Sequence, residues 1–192
     1  MTGVYRPAED SYLLLEQARG RVCGSVLDMG TGSGLLAVEL ASKKCVSSVV
    51  AIDLDTAAVT EARRRAEDAG VADRIEFVVS DLFDELEDRR FDWIVFNPPY
   101  LPSEGSIDEA SWAGGRVGGE VVMRFLHEAP DHLEPKGRIL LILSSLTGVD
   151  LEKLRDGFRV EVVGEEPLFY ERLQCLMLEP INPSEGPGRD PR

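Results

Sequence analysis

Ser25-Val26-Leu27-Asp28-Met29-Gly30-Thr31-Gly32-Ser33-Gly34 runs from a short apolar segment, through a carboxylate, into three closely spaced glycines. Leu35-Leu36-Ala37-Val38 follows directly and continues as a helical pattern to Ala41. An apolar run, a glycine turn and a helix in that order make a strand–turn–helix unit. Glycine lets such a turn close tightly and lets a ligand approach the bare backbone. In sheets built from these units, ligands bind beyond the carboxyl ends of the strands, where this loop must lie.

The same alternation extends on both sides of the loop. Glu9 to Ala18 reads as an opening helix, Ser25 to Asp28 as the first strand and Ser33 to Ala41 as its helix. Ser48 to Ile52 is a second strand, and a helix from Thr56 to Ala69 stops at Gly70, a residue suited to a left-handed terminus. Ile75 to Val79 and Asp92 to Phe96 supply two more strands, and a long loop from Pro98 to Gly119 leads to a helix near Val121 to Leu133. Arg138 to Ser144 is a fifth strand and Leu151 to Arg155 a short helix. Val160 to Val163 and Leu173 to Leu178 lack a helical link and are expected to pair antiparallel. The expected fold class is α/β, a doubly wound, Rossmann-like sheet of seven strands, mostly parallel with an antiparallel last strand.

A chain of 192 residues with 43% hydrophobic and 29% charged residues suits one globular domain, here expected over residues 1–180. Residues 181–192, rich in Pro, Gly and charge, are expected to be a disordered tail. No apolar run is long enough to cross a membrane and no leader is visible, so a cytoplasmic location is expected. Cys23, Cys45 and Cys175 are odd in number and widely spaced, and read as buried free thiols rather than as a disulfide or a zinc site. The net charge of −14 works against phosphate-backbone binding and favours a protein partner over nucleic acid.

The spacing within the glycine loop selects among nucleotide-like ligands. A dinucleotide site wants a third small residue at position 35, which is Leu35, and no Gly-Lys-Ser/Thr run occurs for a nucleoside triphosphate. S-adenosyl-L-methionine (leaving as S-adenosyl-L-homocysteine) has no phosphate, and its parts match the residues that follow. Asp28, Gly30 and Gly32 line the loop. Asp53, with Leu54 beside it, ends the second strand where a carboxylate accepts from ribose hydroxyls. Asp81 and Leu82 follow the third strand, the carboxylate for an exocyclic amine and the leucine for the ring. Capping of the following helices is the plainer role for either aspartate.

The fourth strand delivers Asn97-Pro98-Pro99-Tyr100 to the same edge. Two prolines stiffen this backbone and remove two donors. A planar nitrogen is a poor nucleophile, because its lone pair is delocalised. Asn97 Oδ1 and the Pro98 carbonyl are placed to accept its two protons and aim that lone pair. Tyr100 offers an aromatic face on which a flat acceptor stacks. The catalytic candidates are therefore Asn97, Pro98 and Tyr100, with Pro99 completing the acceptor loop. These residues suit an amide or an adenine equally well. His127 and His132, five apart, make a poor metal pair, and no metal is expected. Arg63-Arg64-Arg65 reads as the solvated face of a helix, and Trp112 as a packing anchor or a lining of the opening.

Asn97-Pro98-Pro99-Tyr100, taken with Asp28-x-Gly30-x-Gly32-x-Gly34, resembles the HemK-type protein-glutamine methyltransferases. Val4-Tyr5-Arg6-Pro7-Ala8-Glu9-Asp10-Ser11 and Ser111-Trp112-Ala113-Gly114-Gly115-Arg116-Val117-Gly118-Gly119-Glu120 resemble the short archaeal and eukaryotic branch. Arg6 stands where that branch commonly has an acidic residue, and Asp28 where Glu is frequent. The resemblance implies the class I S-adenosylmethionine-dependent methyltransferase fold. It implies methylation of the glutamine amide in the Gly-Gly-Gln motif of a class 1 translation release factor. It also implies a small zinc-binding activator subunit as partner. Cofactor contacts carried over residue by residue are Ser11, Asp28, Gly30, Asp53, Asp81, Leu82 and Asn97, with Asn97 also holding the substrate amide. Protein lysine and adenine N6 are the alternative acceptors.

Overall fold

The computed structural model describes residues 4–99 and 116–181, with side chains described from residue 119 in the second stretch. Helix α1 spans Glu9–Arg21, and β1 (Gly24–Met29) leads through the glycine loop to α2 (Leu35–Ala41). Then come β2 (Val46–Asp53), α3 (Thr56–Asp68), β3 (Ile75–Val79) and β4 (Phe91–Phe96). The remaining elements are α4 (Arg116–Glu128), β5 (Leu133–Ser144), α5 (Leu151–Leu154), β6 (Phe158–Pro167) and β7 (Arg172–Pro180).

The strands form one seven-stranded sheet in the order β3-β2-β1-β4-β5-β7-β6. The first five run parallel, whereas β7 is antiparallel to both β5 and β6, as expected. Alternation along the strands divides the core. Val26, Val49, Val95 and Leu140 pack with Leu14, Ala37 and Ala66 on the face covered by α1, α2 and α3. Leu27, Val50, Ile94 and Leu141 pack with Phe125 and Leu154 on the face covered by α4 and α5. Burial on both faces explains why these strands read as near-continuous apolar runs. No helix among the described residues is long and apolar enough to cross a membrane.

Several boundaries differ from the sequence expectation: α4 begins at Arg116 rather than near Val121, β6 runs on from Val163 to Pro167, and the α4–β5 junction is shifted. The α4 helix stops at Glu128 because Pro130 opens a 3-10 turn over Ala129–His132. Strand β5 then starts at Leu133, five residues before the expected Arg138, with its register broken between Phe91 and Trp93 of the neighbouring strand. Glu134-Pro135-Lys136-Gly137 has the composition of a turn and has no partner in β4, but pairing of Leu133 with Phe91 and of Arg138 with Trp93 on either side carries it as an irregularity within the strand. His132 is buried against the Phe83 ring at 4.4 Å, and its Nδ1 lies 2.9 Å from the Arg89 carbonyl. Arg63 and Arg64 are exposed on α3 as expected, with Arg64 paired to Glu61 and Asp68.

The cysteines require a correction. Cys23 and Cys45 are exposed and form a disulfide, with Cα atoms 5.0 Å apart, and only Cys175 is a buried free thiol. Each bridged cysteine immediately precedes a strand, and the parallel pairing of Gly24 with Val46 sets the two side by side. This proximity is a product of the sheet, invisible in a sequence separation of 22. A loop of that length predicts about 3 kcal/mol of stabilisation. Alkylation and mass spectrometry are expected to find this one bridge among the three cysteines. Cys23→Ser is expected to lower the denaturation midpoint as much as reductant does, with methyl transfer at low temperature unaffected.

Candidate functional site

Strand register brings four strand ends to one level. Met29 lies between Ile52 and Phe96, and Asp53 lies beside Val79. The chain therefore leaves the sheet together at Gly30, Leu54, Ser80 and Asn97. The strand order reverses between β1 and β4, and a crevice at such a reversal is where α/β sheets bind ligands.

Gly32 and Gly34 both hold left-handed φ, 53° and 77°, yet for different ends. A Cβ on Gly34 would lie 2.7 Å from Ala62 Cα, so this glycine lets α2 begin against α3. A Cβ on Gly32 would meet nothing nearer than the Gly30 carbonyl at 4.0 Å, which leaves that stretch of backbone open to a ligand. Gly34→Ala combines overpacking with a strained φ and is expected to cost about 3 kcal/mol or more of stability, read by denaturant unfolding.

Asp28 is buried at the end of β1. Its Oδ2 accepts from the Thr31 hydroxyl at 2.7 Å and the Ala37 N–H at 3.1 Å, while Oδ1 has no donor among the described residues. Burial pushes this carboxyl up to about 7 against those two hydrogen bonds, and the Asp53 charge adds to the rise. Asp53 accepts the Gly32 N–H at 2.9 Å and the Asp55 N–H at 2.9 Å. The plainer role as a helix cap falls instead to Asp55, which accepts from Ala57 at 2.8 Å. Asp53 thus ties the glycine loop to the end of β2.

Asp81 is partly exposed and lies 3.3 Å from Arg124 of α4. Leu82, at φ 50°, is buried in the core on the α4 face, whereas Leu54 stands 71% exposed on the outer lip. The structure therefore brings Asp28, Gly30, Gly32, Asp53 and Asn97 together, with Asp81 at the rim. Leu82 is committed mainly to packing.

Asn97 leaves β4 with Oδ1 buried and without a donor among the described residues. Its Nδ2 donates to Ser11 Oγ at 3.4 Å, across 86 residues of sequence. Ser11 is anchored in turn: its N–H and hydroxyl donate to Asp10 Oδ1 at 2.5 and 3.1 Å. The Tyr5 hydroxyl donates to the same carboxylate at 2.7 Å. Tyr5, Asp10 and Ser11 thus orient the amide, turning Nδ2 to α1 and leaving Oδ1 as the available acceptor. Asp10 and Tyr5 are site residues that the sequence motifs do not single out. The signal was present: Asp10 lies three and four residues before Leu13 and Leu14, which places a carboxylate on the buried face of α1. Pro98 is buried and Pro99 exposed. Tyr100, Trp112 and the tail from residue 182 lie outside the described residues.

Two buried acceptors without donors, an open glycine backbone and the Asp53 carboxylate suit a ligand rich in donors and carrying positive charge. The ammonium, sulfonium and ribose hydroxyls of S-adenosylmethionine meet that description, and a phosphate would be repelled by these carboxylates. Sheet order, glycine loop and donor-seeking crevice together define a class I methyltransferase using S-adenosyl-L-methionine. Within that class, the chain belongs to the Methyltransferase small domain family, whose profile it matches over residues 6–170.

It is 37% identical over 181 residues to a Methanocaldococcus jannaschii protein assigned as a protein N5-glutamine methyltransferase, covering 90% of each chain. It is 38% identical over 152 residues to human methyltransferase HEMK2, covering 72% of this chain and 71% of the relative. Among solved structures, it is similar to the E. cuniculi Mtq2–Trm112 complex, described as methylating the eRF1 translation termination factor. The TM-score is 0.64 at 25% identity, over 94% of this chain and 100% of the other.

Proposed function

We propose that the enzyme methylates the side-chain amide of the glutamine in the Gly-Gly-Gln motif of a class 1 release factor. In this reading it acts in the cytoplasm with a small zinc-binding activator subunit. The observation that carries this is the Asn97 amide, held by Ser11 so that a buried Oδ1 is left to accept a proton. The relatives support the choice of glutamine, and the eRF1 complex supports both the release factor and the subunit.

The bound cofactor supplies an already activated methyl group on a sulfonium. Asp28 and Asp53 would hold its ammonium and ribose, and Asp81 its adenine amine. Asn97 Oδ1 accepts one N–H of the incoming amide and the Pro98 carbonyl the other. Tyr100, on the sequence reading, would offer a stacking face to the flat group. Held this way, the nitrogen lone pair points along the line of attack. The cofactor would supply the methyl group with a neutral thioether as leaving group, and the amide would give up one proton to water as it takes the methyl. Positioning of this kind contributes on the order of 7–11 kcal/mol when reacting atoms are aligned. No strong base is required.

The test is transfer of labelled methyl from S-adenosylmethionine to purified release factor, in the presence of the activator subunit. Label is expected on the Gly-Gly-Gln glutamine alone and lost when that residue is replaced by glutamate. Labelling of DNA adenine or protein lysine, with none on this glutamine, would overturn the assignment. The net charge of −14 already weighs against a nucleic acid.

A further inference from the structure

The link between β6 and β7 holds two aromatic side chains out in solvent. Phe169 is 90% and Tyr170 is 86% exposed, and their rings meet edge to face at 4.5 Å. The turn that carries them is braced. Leu168 N–H donates to the Glu171 carbonyl at 2.8 Å, closing it. Ser145 N–H donates to the Arg172 carbonyl at 2.9 Å, and Arg172 N–H donates to Ser145 Oγ at 3.0 Å. The Ser144 hydroxyl donates to the Glu171 carboxylate. A fixed turn that presents aromatic rings to water has the character of a contact surface rather than of a frayed loop.

Its position relates it to the acceptor site. Because β5 runs parallel to β4, Ser144 and Ser145 end on the same edge as Asn97, and the hairpin is tied to them. Asn97 and the hairpin are separated by two strand spacings, about 10 Å, and by three or more residues of strand rise, also about 10 Å. The rings thus stand on the order of 15–20 Å from Asn97, the length of roughly five residues of extended polypeptide. Glu165 and Glu166 are exposed on the adjoining arm.

We propose that Phe169 and Tyr170 form a docking platform for the substrate polypeptide. They would engage an apolar segment flanked by basic side chains, about five residues from the methylated one. The proposal rests on the reading above that the acceptor is a protein. Continuity with the active edge favours this occupant, and the carboxylates beside the rings complement a basic segment. The platform is too distant to touch the reacting amide, so it acts on substrate affinity alone.

The experiment compares wild type with the double variant Phe169→Ser/Tyr170→Ser, each with its activator subunit, acting on full-length release factor. The KM for release factor is expected to rise on the order of tenfold. kcat and the Kd for S-adenosylhomocysteine are expected to stay unchanged, and Phe169→Leu/Tyr170→Phe to restore most of the affinity. An unchanged KM would overturn the platform while leaving the acceptor assignment intact. Loss of the activator from the purified double variant, or a change in its oligomeric state, would reassign the rings to that interface. A wild type that methylates no release factor at all would remove both readings together.

Discussion

Asn97→Ala is expected to lower kcat by roughly a thousandfold, the loss typical of deleting one preorganised polar contact to a transition state. The acceptor nitrogen gives up its delocalised lone pair as it attacks, and Asn97 Oδ1 holds the proton that must turn out of the way. The same change is expected to move the cofactor Kd little, because Asp28, Asp53 and the glycine loop remain. Single-turnover transfer and equilibrium titration with S-adenosylhomocysteine separate the two effects. An equal loss in both would make Asn97 a cofactor ligand alone.

Asp28→Asn is expected to reverse sign between the ligand-free and ligand-bound protein. Burial raises the Asp28 carboxyl from 3.8 to about 7 in the folded chain. The folded state therefore binds the proton more tightly than the unfolded state. The stability this contributes is fully present below about pH 3.8 and is lost as pH rises to about 7. A shift of about three units corresponds to something on the order of 4 kcal/mol. The difference in unfolding free energy between wild type and Asp28→Asn should change with pH across that window and flatten above it. Cofactor binding opposes the trend, because a nearby positive charge favours the carboxylate. Wild type should release a proton on binding near pH 6, seen as a dependence of calorimetric heat on buffer. Asp28→Asn should release none and bind roughly 10–100-fold more weakly, the worth of a hydrogen bond to a charged group. A wild-type heat independent of buffer would place the titration elsewhere.

Much of the site was legible because its chemistry sits at strand ends. Asp28, Asp53 and Asn97 each follow an apolar run, and a parallel sheet aligns such ends whatever the order of its strands. Asp81 was legible in the same way, but Arg124 beside it was not, since α4 reaches that edge only through the fold. Leu82 was expected against a ring and is mostly core, because the chain turns left-handed there and folds its side chain inward. The early start of β5 is likewise a product of the fold. Glu134 to Gly137 prefers a turn locally, and it lies within the strand only because Leu133 and Arg138 on either side pair with β4. The β6–β7 hairpin was expected as an antiparallel pair, but nothing local indicated that its aromatics would stand in solvent.

The sequence by itself determined the alternation of strand and helix, the glycine turn and the carboxylates and amide that close each strand. These depend on backbone freedom and hydrophobic period within a few residues, and short-range sterics suffice to specify them. The tertiary structure alone decided which distant residues meet. It placed β1 between β2 and β4, joined Cys23 to Cys45, and carried Ser11 on α1 to the Asn97 amide. Such partners are selected when apolar faces are buried and strands find their register, and that selection is a property of the whole chain.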